Sequence, residues 1–243
     1  MDFIGIIPAR YASTRFEGKP LCRIGGRTMI ECVYSQVVRV KEFRTVAVAT
    51  DDVRIYEEVV SFGGKAVMTS PNHCSGTDRC AEAFRLLDCP SENAVVVNIQ
   101  GDEPFIKPEQ IRELLACFSL PDIQIATLIK KIDLPETLAN PNVVKVVVSD
   151  ENRALYFSRQ PIPFLRNASF EAADFYKHIG IYAYRAEVLA ALVQLPPSSL
   201  ERAESLEQLR WLQAGYGIHA QQTQYEAGIG IDTPQDLEFL NNK

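Results

Sequence analysis

The run Ala94-Val95-Val96-Val97-Asn98-Ile99 constrains this chain more than any other stretch. It is too short for a helix and does not alternate polar with apolar residues, so it predicts a strand buried on both faces. Similar β-branched runs occupy residues 3–7, 45–49 and 143–148. Helical patterns over residues 28–40 and 52–62 follow the first two runs, and a third over 76–87 precedes the Ala94 run. Strands covered on both faces, with helices between them, require a mainly parallel sheet. Right-handed crossovers then place the loops that follow the strands along one edge. The predicted fold is α/β and Rossmann-like, with a mainly parallel central sheet flanked by helices.

The pattern changes after about residue 120. Residues 124–132, 143–148 and 176–184 read as longer, more alternating strands, and the two prolines within 155–166 mark an edge or excursion. No internal repeat or low-complexity linker interrupts the chain. Residues 1–243 therefore read as one domain in which about 120–190 form an inserted lobe. Hydrophobic residues at 47% and charged residues at 23% suit a folded chain rather than a disordered one.

Net charge and termini narrow the function classes. A formal charge of −6 argues against gripping nucleic acid through the bulk field, so an anionic ligand needs a local cluster of cations. No run of 18 uncharged apolar residues is present, and Asp2 with no basic stretch before the first apolar run argues against an export signal. The expectation is a cytoplasmic protein. Its six cysteines form no C-x-x-C pair and are expected to be reduced and mostly packing residues, and three histidines give a structural zinc site poor support.

Four loops on the predicted ligand edge carry unusual polar content. The first, residues 8–20, follows the first strand and contains Arg10, Arg15 and Lys19 among small residues. Up to Arg27 the chain holds five cations and two acids, a local charge of +3. Such a loop can wrap a phosphate chain with backbone N–H groups and charged donors, although it matches neither the Walker nor the Rossmann glycine pattern. The second is Thr50-Asp51-Asp52. The third, Gln100-Gly101-Asp102-Glu103-Pro104, sets a carboxylate at the tip of a buried strand, where it can hold a hard cation or serve as a turn acid before the helix at Pro108. The fourth, residues 228–234, ends in Asp232-Thr233-Pro234, where Asp232 is also a good helix cap.

If the fold brings Asp102 and Asp232 together, two carboxylates ~4 Å apart repel by about 4 kcal/mol at an effective dielectric near 20, and a cation removes that penalty. A cationic loop beside such a pair suggests metal-assisted phosphoryl or nucleotidyl transfer. Ser75-Gly76-Thr77-Asp78-Arg79 opens a helix; Ser75 or Thr77 can cap it, and its free N–H groups can meet an anion or a base carbonyl. In residues 176–184 period two puts His178, Gly180, Tyr182 and Tyr184 on one face, and His178 can equally be a buried structural histidine.

At these residues the chain resembles the 3-deoxy-manno-octulosonate cytidylyltransferases, nearly end to end. The resemblance runs through Ile7-Pro8-Ala9-Arg10-Tyr11-Ala12-Ser13-Thr14-Arg15, Gly18-Lys19-Pro20-Leu21, Ala49-Thr50-Asp51-Asp52 and Ser75-Gly76-Thr77-Asp78-Arg79. It continues through Asn98-Ile99-Gln100-Gly101-Asp102-Glu103-Pro104, Ser158-Arg159 with Pro161-Ile162-Pro163, Tyr176 to Arg185, Glu204 with Leu206-Glu207-Gln208-Leu209-Arg210, and Gly230-Ile231-Asp232-Thr233-Pro234.

The resemblance implies a nucleotide-diphospho-sugar transferase type of fold. It also implies the magnesium-dependent reaction of CTP with 3-deoxy-D-manno-octulosonate (Kdo) to CMP-Kdo and diphosphate, which supplies lipopolysaccharide inner-core assembly. It implies a cytoplasmic homodimer with small-molecule substrates, no nucleic-acid partner and no membrane insertion. By residue it gives Ala9, Arg10, Ser13 and Lys19 to the nucleotide and its phosphates, and Thr50, Asp51, Ser75 and Gly76 to the cytidine side. Asp102 and Asp232 would hold Mg2+, with Arg10 and Lys19 completing the catalytic set. Arg79, Gln100, Arg159, His178, Tyr182, Glu207 and Gln208 would surround the sugar acid, Gln100 touching the nucleotide as well. Two departures stand out: Glu17 where proline is common, which loosens the first loop and adds a negative charge, and Gln160 where a small residue is common. The competing readings are a cytidylyltransferase for an amino-Kdo or other 2-keto-3-deoxy sugar acid, and a non-catalytic nucleotide-binding protein on the same scaffold.

Overall fold

The computed structural model describes residues 1–12, 16–87, 93–226 and 236–237, and divides into two compact units. Unit 1 comprises Met1–Arg112, Ala183–Val193 and Ala227–Lys243; unit 2 comprises Glu113–Tyr182 and Gln194–Glu226. Beside the lobe expected at 120–190, unit 2 starts earlier, at Glu113, and adds the later segment from Gln194 to Glu226.

Unit 1 is built on β1 (Asp2–Ala9), followed by the small hairpin β2 (Arg23–Ile24) and β3 (Arg27–Thr28), then β4 (Phe43–Thr50), β5 (Ala66–Met68) and β6 (Ala94–Asn98). Strand β1 pairs in parallel with β4 on one side and β6 on the other, and β4 pairs with β5. Every residue of β6 is buried, as its unbroken apolar run requires. Helices α1 (Met29–Val37), α2 (Val53–Ser61) and α3 (Gly76–Leu86) lie between strands. They bury Ile30, Val33 and Val37, then Ile55 and Val59, then Cys80 and Ala83. Each begins at a side-chain cap: Thr28 accepts from the Glu31 N–H, Asp52 from Arg54 and Ser75 from Asp78. Helix α4 (Pro108–Ala116) opens at a proline and runs across the boundary into unit 2.

The register sets the carboxyl ends of β1 and β4 level, with Ala9 opposite Thr50, while β6 ends earlier, its Asn98 opposite Ile6. From β1 the chain steps outward to β4 and β5, then returns to the other side of β1 for β6. Strand order reverses there, so the crevice between the loops after β1 and β6 is where an open α/β sheet takes its ligand.

Unit 2 contains β7 (Ile125–Lys131), α5 (Pro135–Ala139), β8 (Lys145–Val148), β9 (Ala154–Ser158) and all but the last three residues of β10 (Tyr176–Arg185). After α6 (Ala186–Leu192), which packs on α3 and β6 in unit 1, the chain returns through α7 (Ser199–Glu204), α8 (Gln208–Gln213) and β11 (Ile218–Gln222). Strand β11 joins β7 in parallel, while β8 pairs antiparallel with both β9 and β10. The proline-containing stretch after 155 thus begins as the terminal strand of a small antiparallel ribbon. Trp211, Phe157, Phe175 and Ile181 form the core of this unit. Among the described residues no helix is long and apolar enough to cross a membrane.

Candidate active site

A cleft of about 240 Å³ opens in unit 1 at the predicted crevice. Pro8, Ala9, Arg10, Lys19 and Pro20 line it from the loop after β1, Gln100, Gly101 and Asp102 from the loop after β6, and His73, Cys74, Ser75, Gly76 and Arg79 from the start of α3. Two glycines permit this approach. A Cβ on Gly101 would lie 2.8 Å from the Pro8 carbonyl oxygen, and one on Gly76 would press 3.3 Å from the Pro8 ring.

The loop after β1 is pinned at its base. The Gly18 N–H donates to the Tyr11 carbonyl at 3.0 Å, and Gly18 adopts φ +67° against the Tyr11 ring. Arg54 stacks 3.3 Å over that ring while forking onto Asp52. Glu17, expected to loosen the loop, sits exposed next to Gly18. Directly after Gly18, the short turn Lys19–Leu21 sends the Lys19 ammonium to Asp102 Oδ2 at 2.7 Å. Arg10 is exposed at the cleft. Ser13 and Asp232 lie outside the described residues.

The expected cytidine-side residues divide into lining and support. Ser75 and Gly76 line the cleft, and Ser75 also caps α3. Thr50 is fully buried behind it: its hydroxyl accepts from the Asp52 N–H at 3.2 Å, and its carbonyl accepts from Thr69. Asp51 also stands behind the lining, reached through Arg79, which is only 3% exposed. Arg79 donates to Asp51 Oδ2 at 2.8 Å and to Thr69 Oγ1 at 2.6 Å. Arg79, expected near the sugar, and Gln100, expected to touch both sugar and nucleotide, line this unit 1 cleft beside Ser75 and Gly76.

Unit 2 gathers the remaining expected sugar-side residues. The His178 ring packs 5.2 Å from Phe157 and 5.2 Å from Tyr182, and its Nε2 lies 3.0 Å from Thr127 Oγ1. Part of the residue keeps contact with solvent, but burial pushes the imidazole down to about 3, so it is neutral at pH 7. Tyr182 packs edge-on against Trp211, and burial, with the nearby Glu207 carboxylate, raises its hydroxyl well above the usual range. Gln208 is buried and Glu207 half-buried at the start of α8. Arg159 follows β9, with its guanidinium held by backbone carbonyls. Gln160 is exposed, so its departure from a small residue meets no packing limit.

Two cleft features escaped the sequence reading. Cys74 is exposed in the lining rather than packed in a core. His73 also lines the cleft and is bonded to Glu82, which accepts from the Ser70 N–H at 2.7 Å; that N–H and the histidine hold the Glu82 carboxyl below its ordinary range. The only signal was position, since both residues immediately precede the Ser75 cap.

Among the described residues no cluster of three His, Cys, Asp or Glu side chains gathers. Magnesium does not need one, since it commonly takes one or two carboxylates and completes its octahedron with phosphate oxygens and water. Asp102 fits that use: it is a hard oxygen donor, its side chain 41% exposed in the cleft beside a cation.

A parallel α/β sheet with a cationic loop and a strand-end carboxylate at its switch point defines a nucleotide-binding transferase, and the sequence model of the cytidylyltransferase family matches residues 4–222. Relatives named 3-deoxy-manno-octulosonate cytidylyltransferase are 56% identical in Cytophaga hutchinsonii, covering 98% of this chain and 95% of that one, and 54% identical in Parabacteroides distasonis, covering 100% of both. A solved CMP:2-keto-3-deoxy-manno-octonic acid synthetase complexed with CTP is 45% identical, with a TM-score of 0.92 over 100% of this chain and 98% of its own. A 4-diphosphocytidyl-2C-methyl-D-erythritol synthase from Anaerococcus prevotii shares the fold at 15% identity and TM-score 0.63, over 99% and 97% of the two chains. The chain belongs to the 3-deoxy-manno-octulosonate cytidylyltransferases.

Proposed function

We propose that this enzyme activates Kdo: CTP and Kdo give CMP-Kdo and diphosphate, by attack of the anomeric hydroxyl on the α-phosphorus of CTP. The observation that carries the reading is the Lys19–Asp102 pair at the mouth of the β1–β6 crevice. It sets a cation and a hard carboxylate together where a triphosphate would lie in this reading, in a chain of this family.

In this reading Arg10 and Lys19 bind the phosphates and oppose the charge that builds on the leaving diphosphate. Ala9 and Ser13 supply loop contacts, and Ser75, Gly76 and Gln100 face the nucleoside, with Thr50, Asp51 and Arg79 bracing that wall. Arg159 meets the sugar carboxylate, for which a guanidinium has two parallel donors. His178, Tyr182, Glu207 and Gln208 shape the sugar side, with neutral His178 able to donate or accept a hydrogen bond but unsuited to carry charge. Asp102 and Asp232 would hold Mg2+, which when bound withdraws charge from the phosphate oxygens. No side chain is assigned as an obligatory general base. The product would serve lipopolysaccharide inner-core assembly, and the enzyme would work as a cytoplasmic homodimer.

Diphosphate release from CTP and magnesium tests the reading, with Kdo, its amino analogue and sialic acid offered separately. Release with Kdo and not with sialic acid, abolished by EDTA, is the expected result. Preference for the amino analogue would move the assignment to an amino-Kdo, and no release with any sugar would leave a nucleotide-binding protein.

A further inference from the structure

Lys145 sits in β8 within the run Val143-Val144-Lys145-Val146-Val147-Val148, with none of its surface exposed. An ammonium in such a place is costly unless every N–H finds an acceptor. Its Nζ donates to the carbonyl oxygens of Asn140 at 2.9 Å, Val143 at 2.6 Å and Arg159 at 2.5 Å. Three acceptors require three N–H bonds, and a neutral amine has two, so the contacts select the charged form. Burial and then the nearby Arg159 guanidinium pull the Lys145 pKa below its ordinary value, while Glu204 pushes it back.

These contacts converge on Arg159. Its backbone N–H donates to Glu204 Oε2 at 3.0 Å, and Ser158 donates to Glu204 Oε1 at 2.6 Å. Its guanidinium donates from Nε to the Glu204 carbonyl at 2.8 Å and from Nη1 to the Pro141 carbonyl at 3.2 Å, with a longer reach from Nη2 to Ser205. Lys145 therefore ties the turn that supplies the Pro141 acceptor to the backbone of Arg159 itself. Of five guanidinium N–H bonds, these contacts use three and leave two for a ligand. Two cations, Lys145 and Arg159, lie near a single carboxylate, Glu204, whose oxygens accept from Ser158 and from the Arg159 backbone rather than from either cationic group, so the cluster lacks one negative charge.

We propose that Lys145 is a positioning residue for the sugar-acid carboxylate, fixing Arg159 and leaving the cluster one anion short of neutrality. This rests on the reading of Arg159 as the carboxylate partner. Lys145 does not touch the substrate; it acts through Arg159.

Steady-state kinetics of the full-length enzyme test this with Lys145→Met, Arg159→Ala and the double variant. Lys145→Met should raise KM for Kdo by about 10- to 100-fold, as loss of positioning does, with KM for CTP and kcat little changed. Added to Arg159→Ala it should cause no further rise, because both act through one group. If Arg159→Ala raises KM for Kdo and Lys145→Met does not, the inference is overturned while the Arg159 reading stands. If Arg159→Ala leaves KM for Kdo unchanged, the Arg159 reading itself falls. Should Lys145→Met fail to fold, the wild-type enzyme still decides. Among the described residues Lys145 is the one fully buried lysine, so its protons should give a slowly exchanging ammonium NMR signal. That signal should move on adding Kdo to the CTP complex, and a signal insensitive to Kdo overturns the proposal.

Discussion

Lys19→Ala separates chemistry from folding in a single substitution. The ammonium lies 2.7 Å from Asp102 Oδ2, with the lysine side chain 12% exposed and the carboxylate 41% exposed. Two unit charges some 4 Å apart attract by about 4 kcal/mol at an effective dielectric near 20. Solvent at the carboxylate and the ordering of a long side chain reduce the net stabilisation of such a pair to about 1 kcal/mol or less. The charge lost from developing phosphate oxygens is worth more, since one preorganised donor commonly contributes about 2.7–4 kcal/mol to a transition state. Activity should therefore fall by about 10²- to 10³-fold while unfolding free energy falls by no more than ~1 kcal/mol. Initial rates of diphosphate release at saturating substrates, paired with urea unfolding, measure both. A rate within a few-fold of wild type would return Lys19 to the surface, and a stability loss of several kcal/mol would make the lysine structural.

Four further outcomes follow from named contacts. Asp102→Ala should abolish turnover with the fold intact by circular dichroism, and comparable activity in the variant would refute its metal role. Gly101→Ala places a methyl group 2.8 Å from the Pro8 carbonyl, so it should cost about 1–3 kcal/mol in thermal unfolding and raise KM for CTP; an unaltered melting temperature would show that the β1 and β6 loops are not in contact. Cys74 is exposed in the cleft, whereas burial raises the Cys22 and Cys117 thiols to about 11. At pH 8 a maleimide should modify Cys74 ahead of those two, and CTP should slow that reaction; equal labelling with and without CTP would place the nucleotide elsewhere. His178 is held neutral, with its pKa near 3 in the folded state against about 6.5 unfolded, so the unfolded chain binds more protons between those values. Its contribution is complete above about pH 6.5 and declines as pH falls toward 3, by up to ~1.4 kcal/mol per unit. His178→Gln should flatten the fall in urea midpoint between pH 7 and 4.5, and an equal slope in both proteins would refute the burial effect.

Much of this was legible in order along the chain. Short β-branched runs mark β1, β4 and β6 because strands covered on both faces need no alternation, and Ser75 marks a helix start because its cap is local. The cleft could be located from the loops alone, since strand order fixes which edge they share. What stayed hidden depends on distant partners. Arg79 reads only as part of a helix start, and its burial is hidden because Asp51, 28 residues earlier, and Thr69 converge on it. Lys145 interrupts an apolar run, and nothing local reveals that three backbone carbonyls enclose its ammonium. The division into units is equally non-local, because Ala183–Val193 returns to unit 1 between two segments of unit 2.

The measurement that most directly tests the central claim is phosphorus NMR of CTP, magnesium and Kdo incubated with the enzyme and with Asp102→Ala. Wild type should convert the three CTP resonances into diphosphate and one new phosphodiester signal, and only when Kdo is present; the variant should leave CTP intact. Unchanged CTP with the wild-type enzyme, or the same conversion without Kdo, would contradict the account.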